Sequence, residues 1–254
     1  MSQHERMPFS SGSGAAGLTL STARWPGVEA GPRRLLVVPV GSLEQHGPHL
    51  PLDTDTRIAA AVAARACAGR AGVGLAPPIA IGASGEHAAF PGTLSIGSVA
   101  LSTLLVELGR HASLHWPAML LVNGHGGNVT AIRDALATLS AEGRRCQAWP
   151  AAVRPGPASP GPGSADPGND AHAGRTETSI MLALAPGDVR LGEAAPGETR
   201  PLADIMPELR AHGVRPVSPN GVLGDPSGAS AAEGERMLGQ LAASLSRVMD
   251  GLLE

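Results

Sequence analysis

The feature that most constrains this chain is an apolar run, Leu35-Leu-Val-Val-Pro-Val40, that empties without a spacer into a polar loop, Gly41-Ser-Leu-Glu-Gln-His-Gly-Pro-His-Leu-Pro-Leu-Asp-Thr-Asp55. A short continuous run with β-branched residues suits a strand buried on both faces, as parallel strands are. The loop that follows is rich in Gly, Pro, His and acid. A buried strand that ends in such a loop is a scaffold delivering polar side chains to one edge of a sheet.

The same pattern recurs downstream. Thr56 to Arg70 is Ala-rich and helical. Val73 to Ile81 is a second strand candidate, demoted in part by Pro77-Pro78. It leads into Gly82-Ala-Ser-Gly-Glu-His-Ala-Ala-Phe-Pro-Gly-Thr93. Ser98 to His115 has helical periodicity, with Leu101, Leu104, Leu105 and Leu108 on one face and Ser98 as a cap. Ala118-Met-Leu-Leu-Val122 reads as a strand that runs into Asn123-Gly-His-Gly-Gly-Asn128, and a helix follows to about Ser140. Gln147 to Ala152 reads as another strand. Alternating strand, loop and helix is the signature of an α/β layered fold. Open parallel sheets gather functional groups at the carboxyl ends of their strands. The three polar loops are therefore expected to meet in space.

Arg154 to Gly168 is dominated by Pro, Gly, Ser and Ala, and reads as a loop spanning 153–169. Order returns at Asp170-Ala-His-Ala-Gly-Arg-Thr-Glu177, ahead of an apolar helix from Thr178 to Leu184. Ala229 to Leu253 reads as an amphipathic helix with Met237, Leu241 and Leu245 on one face. Met1 to Gly17 is polar and Ser/Gly-rich. The expectation is a flexible tail over residues 1–30 and a single domain over 31–254.

Composition removes several functional classes. Net charge is -3, and no basic run exceeds Arg33-Arg34 or Arg144-Arg145, so nucleic acid is not an expected partner. No stretch approaches the roughly 20 apolar residues of a membrane span. The first 30 residues lack an unbroken apolar segment, so a soluble cytoplasmic protein is expected. The two cysteines, Cys67 and Cys146, form no CxxC or Cys/His cluster. Cys67 in its Ala-rich run reads as a small buried hydrophobe. With 2% aromatic residues and no Tyr, the core must be aliphatic.

Nine histidines remain to be explained. His46, His49, His87 and His125 fall in Gly-rich loops directly after strand candidates, and His172 lies in a loop before a helix. His111 and His115 fall near a helix end, where a surface His suits the dipole. Neither they nor His4 and His212 are assigned a function. Glu44 and His46, two apart, project to the same side of an extended segment. With Asp53 or Asp55 they offer oxygen and nitrogen donors suited to Zn, Mn or Fe(II). Asp55 has two oxygens and could bridge two ions. His125 sits between glycines, which lets its backbone approach an ion closely. Glu177 adds a carboxylate. A lone loop His is more often a hydrogen-bonded surface residue; it is the recurrence of acid and His in several loops after strands that favours a metal site. The Gly-rich segments lack G-x-G-x-x-G, the P-loop lysine and the G-x-S-x-G elbow, so phosphate binding and serine catalysis are weak alternatives.

The motifs Gly41–Asp55, Gly85-Glu-His-Ala-Ala-Phe-Pro-Gly-Thr93, Asn123–Asn128 and Asp170-Ala-His-Ala-Gly-Arg-Thr-Glu-Thr-Ser179, in this order, resemble the creatininase (creatinine amidohydrolase) family. Leu52-Asp-Thr-Asp-Thr-Arg57 is most similar to the mycofactocin-system subgroup, which trims a modified precursor peptide. The resemblance implies a three-layer αβα fold with a mainly parallel central sheet, two divalent metal ions and a homo-oligomer, often a hexamer. It implies Glu44, His46, Asp55 and His125 as metal ligands, with Asp55 bridging, and His172 as a substrate-contacting or proton-transferring residue. Ser84, Glu86 and His87 are expected to line the pocket; as plain loop residues, Glu86 and His87 would hydrogen-bond to neighbouring backbone. Creatinine-hydrolysing members carry a Glu two residues after the motif His, where this chain has Gly127. Glu177 is expected to supply the missing ligand and to share in catalysis. The family's Tyr and Trp near these motifs are also absent, which points away from creatinine.

The implied chemistry is metal-assisted hydrolysis of a C–N amide bond, with His172 handing a proton to the leaving nitrogen. The favoured substrate is a ribosomal peptide cut near its C-terminus during biosynthesis of a peptide-derived redox cofactor. A small cyclic amide or formamide is the alternative within the same site. A non-catalytic, metal-stabilised binding protein is the alternative outside enzymes, and a ligand set with His172 to spare disfavours it.

Overall fold

The computed structural model describes residues 18–150 and 170–254. The Pro/Gly-rich stretch Arg154–Gly168 and the polar start Met1–Gly17 lie outside the described residues. Five strands form one parallel sheet in the order β1-β3-β2-β4-β5. They are β1 (Leu18–Thr19), β2 (Leu35–Val40), β3 (Val73–Leu75), β4 (Met119–Asn123) and β5 (Cys146–Pro150). Helices cover both faces, giving the three-layer αβα arrangement.

Period-two alternation along the central strands builds two cores. Leu35 and Val37 of β2 and Leu120 and Val122 of β4 face one side. There they meet Ile58 and Val62 of α2 (Thr54–Cys67), Ile180 and Met181 of α5 (Arg175–Leu184), and Leu238, Leu241 and Leu245 of α8 (Ala231–Leu253). Leu36, Val38, Met119 and Leu121 face the other side, against Leu101 and Leu105 of α3 (Gly97–Ala112) and Ile132 and Leu139 of α4 (Val129–Ala141). A third, smaller cluster joins Ile205 and Leu209 of α6 (Leu202–His212) to Val214 of α7 (Val214–Val217) and Leu223. Phe90 packs on it, which ties the second polar loop to α6 and α7.

Several element boundaries differ from the sequence expectation. Residues 18–30, expected as part of a flexible tail, are folded onto the domain. Leu18 pairs with Gly74, Leu20 packs on the core, and Trp25–Ala30 forms the short helix α1. The second strand stops at Leu75, two residues before Pro77; only Ile79 rejoins the sheet, as a single bridge to Val40. Ser98 lies inside the first turn of α3, which begins at Gly97 with no side-chain cap. On α3 Leu101 and Leu105 are buried, but Leu104 is exposed, because the stripe is narrower than four leucines. Helix α5 starts three residues before Thr178, at Arg175, and so takes Glu177 into its first turn.

Candidate metal centre

All the polar loops open on the carboxyl end of the parallel sheet. Glu44, Gln45 and His46 follow β2, and Asp55 stands in the first turn of α2, where the helix dipole favours an anionic side chain. Ser84, Glu86 and His87 lie in the loop after β3, His125 follows β4, and Glu177 stands in the first turn of α5. His172 is pinned by paired backbone hydrogen bonds to Leu223. The loops approach one another so closely that side chains are excluded at their crossings. A Cβ at Gly41 would collide with Thr56, and one at Gly124 with the Asp55 carbonyl.

Asp55 is the centre of the arrangement. Its Oδ1 lies 3.1 Å from His46 Nε2 and its Oδ2 lies 3.1 Å from His125 Nδ1. Each imidazole has its other nitrogen committed to a backbone carbonyl. His46 Nδ1 donates to Glu44 O at 3.0 Å, and His125 Nε2 donates to Ala83 O at 3.2 Å. A carbonyl only accepts, so the nitrogens that face Asp55 are the ones with lone pairs to offer. Ligating histidines typically have this outer-shell partner. Ser42 Oγ holds Asp55 Oδ2 at 2.8 Å. Glu177 Oε2 lies 3.9 Å from His46 Nε2, held by the Ala173 N–H at 2.6 Å. Ala173 itself sits in the left-handed region at φ 53°, a strained backbone that places this donor. Three overlapping donor sets result: Glu44, Asp55 and His125; His46, Asp55 and Glu177; and Glu44, His46 and His172.

Glu44 tests whether these sets fit a cation. The residue is fully buried, and neither carboxylate oxygen has a hydrogen-bond partner. Oε2 is 3.1 Å from His125 Nε2 and Oε1 is 3.2 Å from His87 Nε2, but no N–H is aligned on either. A buried, unpaired carboxylate is strongly unfavourable unless a positive charge meets it. The electrostatics agree. Burial first, then the Asp55 charge, push Glu44 up to about 8. Burial pushes Glu177 up to about 7. Burial alone would lower His46 and His125, but Asp55 and the neighbouring glutamates outweigh it and raise them to about 10 and about 9. Without a metal, protons supply the cationic charge that these carboxylates need. The donor set fits divalent ions of the oxygen- and imidazole-binding kind.

A second network lies beside the first. His172 Nε2 is 2.7 Å from Gln45 O, and its Nδ1 is 3.7 Å from Glu44 Oε1. Burial, then the charges of His46 and His87, hold His172 well below its ordinary value. His87 is buried among these groups, with Nδ1 2.8 Å from Gln45 Nε2 rather than bonded to backbone. Burial pushes it down to about 3. Ser84 is also fully buried, its Oγ 3.5 Å from His125 Nε2. Glu86 stands at the rim, about one third exposed, 3.6 Å from His125 Nε2. A Cβ at Gly127 would collide with Ala83 O, Glu86 Oε1 and His125 Nε2. The volume that a side chain at position 127 would need is therefore already taken.

The structure thus brings Glu44, His46, Asp55, His125, His172, Glu177, Ser84, Glu86 and His87 into one cluster. His49 is buried but stands apart, with Nε2 on Thr178 Oγ1 at 2.9 Å. Asp53 stays outside, paired with Arg57. Sequence reasoning assigned no role to Ser42, Asn123, Asn128 or Gln45. Asn128 ties the loops together, accepting from Ala83 N and donating to Gly41 O, both at 2.9 Å. Gln45 was visible as the polar residue between two candidate ligands, but only folding shows what it reaches.

The sequence model of the creatininase family, described as creatinine amidohydrolase, matches residues 21–249. A mycofactocin precursor peptide peptidase of Mycolicibacterium smegmatis is 52% identical over 213 residues, covering 82% of this chain and 81% of that protein. The protein of the same name from Mycobacterium ulcerans is 47% identical over 249 residues, covering 94% and 91%. Among solved structures, a mutant creatininase superposes with a TM-score of 0.78 at 27% identity, covering 93% of this chain and 99% of the other. A creatininase described with Mn gives 0.74 at 28% identity, covering 92% and 97%.

Proposed function

Since the chain belongs to the creatininase family and is an amidohydrolase acting on C–N bonds, we propose that it is a metal-dependent peptidase cutting a modified mycofactocin precursor peptide near its C-terminus. The observation that carries the metal chemistry is the buried Glu44 carboxylate, which has no hydrogen-bond partner among the described residues and stands 3.1 Å from His125 beside the Asp55-centred His set. The relatives at 52% and 47% identity carry the choice of a peptide over creatinine. Gly126, with open space where a Cβ would stand, leaves that side of the site without a side chain that would close around a small ring.

Glu44, Asp55 and His125 would hold one ion, and His46, Asp55 and Glu177 the other, with Glu177 standing in for the carboxylate absent at Gly127. Three carboxylates against two divalent charges leave a small positive excess, suited to stabilising an anionic transition state. Divalent ions held there would supply Lewis-acid chemistry toward a carbonyl and a water; the creatininase structure described with Mn, and the O/N donor set, support Mn, Zn or Fe(II). His172 turns its unprotonated Nδ1 to this cluster. It would take the proton of the attacking water and then return it to the leaving nitrogen, acting as base before acid. Ser84, Glu86 and His87 would bind substrate, Glu86 from the rim. A substrate made on ribosomes is met in the cytoplasm, where we place the reaction, and the working form is a homo-oligomer of this one folded domain. No described helix is long and apolar enough to cross a membrane.

The test is purification with metal analysis, followed by mass spectrometry of a maturase-treated precursor peptide and of creatinine. Cleavage near the peptide C-terminus that is lost on chelation is expected. Turnover of creatinine or another small cyclic amide with the peptide left intact would replace this reading by the small-amide one.

A further inference from the structure

Gln45 lies between two candidate ligands in sequence and has no part in the metal chemistry, yet it is buried and every polar atom it carries is used. The orientation of its amide follows from two backbone groups. Oε1 accepts from Gly47 N at 2.9 Å, and Nε2 donates to Gly221 O at 3.0 Å. A flipped amide would set donor against donor at Gly47 and acceptor against acceptor at Gly221. Gly221 is needed for this approach: its φ is 82°, and a Cβ there would collide with the Gln45 amide.

Two consequences follow without any assumption about protonation. The second amide hydrogen points at His87 Nδ1, 2.8 Å away, so that nitrogen accepts and the His87 proton is on Nε2. The Gln45 carbonyl can only accept, so the His172 nitrogen 2.7 Å from it, Nε2, carries a proton. The close approach of Gln45 Nε2 to His172 Nε2, at 3.1 Å, is then a contact between two donors that each bond elsewhere. The His172 ring is wedged between its neighbours, with centroids 4.3 Å from His46 and 4.5 Å from His87 and tilts of 36° and 42°, so it cannot turn over freely.

We propose that Gln45 is a positioning residue whose side-chain amide fixes the tautomer of His87 and whose main-chain carbonyl fixes that of His172, so that His172 presents a bare Nδ1 and His87 an N–H to the Glu44 side of the site. The kinetic part of this inference rests on the peptidase reading above; the tautomer part does not. It also gives a reason why His172 must act as base before acid: its one proton in the neutral form is held by the backbone, away from the cluster.

The tautomers are read directly by long-range proton–nitrogen correlation on the zinc-loaded full chain with labelled histidines, assigned with His87→Asn and His172→Asn. Nε2–H forms are expected for both residues in the wild type. An Nδ1–H form at either residue overturns the proposal, whether or not the peptide is cleaved. In Gln45→Met and Gln45→Glu, both without an amide donor to His87, the His87 signal is expected to lose its single Nε2–H form. With peptide as substrate, kcat is expected to fall by about ten- to a hundredfold, as for a misplaced catalytic group, with two zinc ions per chain and KM within about twofold. An unchanged kcat in both variants overturns the proposal, as does a loss of activity that only tracks lost zinc.

Discussion

Asp55 divides two oxygens between two imidazoles, at 3.1 Å each, so each oxygen has its own partner. Asp55→Asn keeps the shape and removes one anionic oxygen. Metal content is expected to drop from two ions per chain to one or none, with peptide cleavage reduced by at least about a thousandfold, of the order seen when a preorganised electrostatic group is lost. Full metal content in Asp55→Asn, measured by elemental analysis, would show that the bridge lies elsewhere. Gly127 gives the complementary prediction. Inserting the glutamate found in creatinine-hydrolysing relatives is not expected to rebuild their site, because Ala83 O, Glu86 and His125 already fill that volume. Gly127→Glu should lower both metal occupancy and peptide cleavage, and gain no creatinine hydrolysis. The motif order made these residues legible before folding. Their pairing was not, because Asp55 and His125 are 70 positions apart and only the β2–β4 register brings their loops together.

At the scale of elements, the long helix α8 closes one face of the sheet. Its start is fixed by Ser230, whose Oγ accepts from Glu233 N at 3.3 Å. Ser230→Ala is expected to destabilise by about 1 kcal/mol, typical of a lost N-cap, and to lower Tm by about 2–4 °C in a chain of this size. Leu245, fully buried in the same helix, should cost more: about 2–5 kcal/mol for Leu245→Ala. Both shifts are read by thermal unfolding, and neither variant should alter kcat, since among the described residues no hydrogen bond or ion pair joins Ser230 or Leu245 to a residue of the donor sets. A loss of activity in Ser230→Ala with an unchanged Tm would contradict this division. Element existence was readable wherever the apolar period was strong, as in β2, whose span is the same in sequence and structure. Boundaries were less readable. The start of α5 at Arg175 depends on Asp170, which accepts from Thr176 N at 2.8 Å, a contact made by a loop rather than by the helix pattern.

For the whole molecule, the site is knitted from loops that follow β2, β3 and β4 and from the first turn of α5, so binding at the centre is coupled to the stability of the entire sheet. An ion that binds only the folded chain stabilises it by about 2.7 kcal/mol at a hundredfold excess over Kd. Wild-type protein is therefore expected to lose about 5–10 °C in Tm on chelation. Glu44→Ala should show little of this loss, since it removes one ligand and with it a buried charge without a hydrogen-bond partner. A chelation shift as large in Glu44→Ala as in wild type would mean that Glu44 holds no ion.

The strand-then-polar-loop rhythm and the residue types suited to holding ions were legible in the chain alone. Those follow from local patterning: a buried parallel strand must be apolar, and what comes after it is free to be polar. Folding sets which oxygen faces which nitrogen, that Glu177 joins His46, that position 127 has no room for a side chain, and that Gln45 reaches two histidines at once. Those depend on distances of about 3 Å between segments separated by up to 176 positions, and on the one-way character of carbonyl acceptors. No linear pattern encodes either.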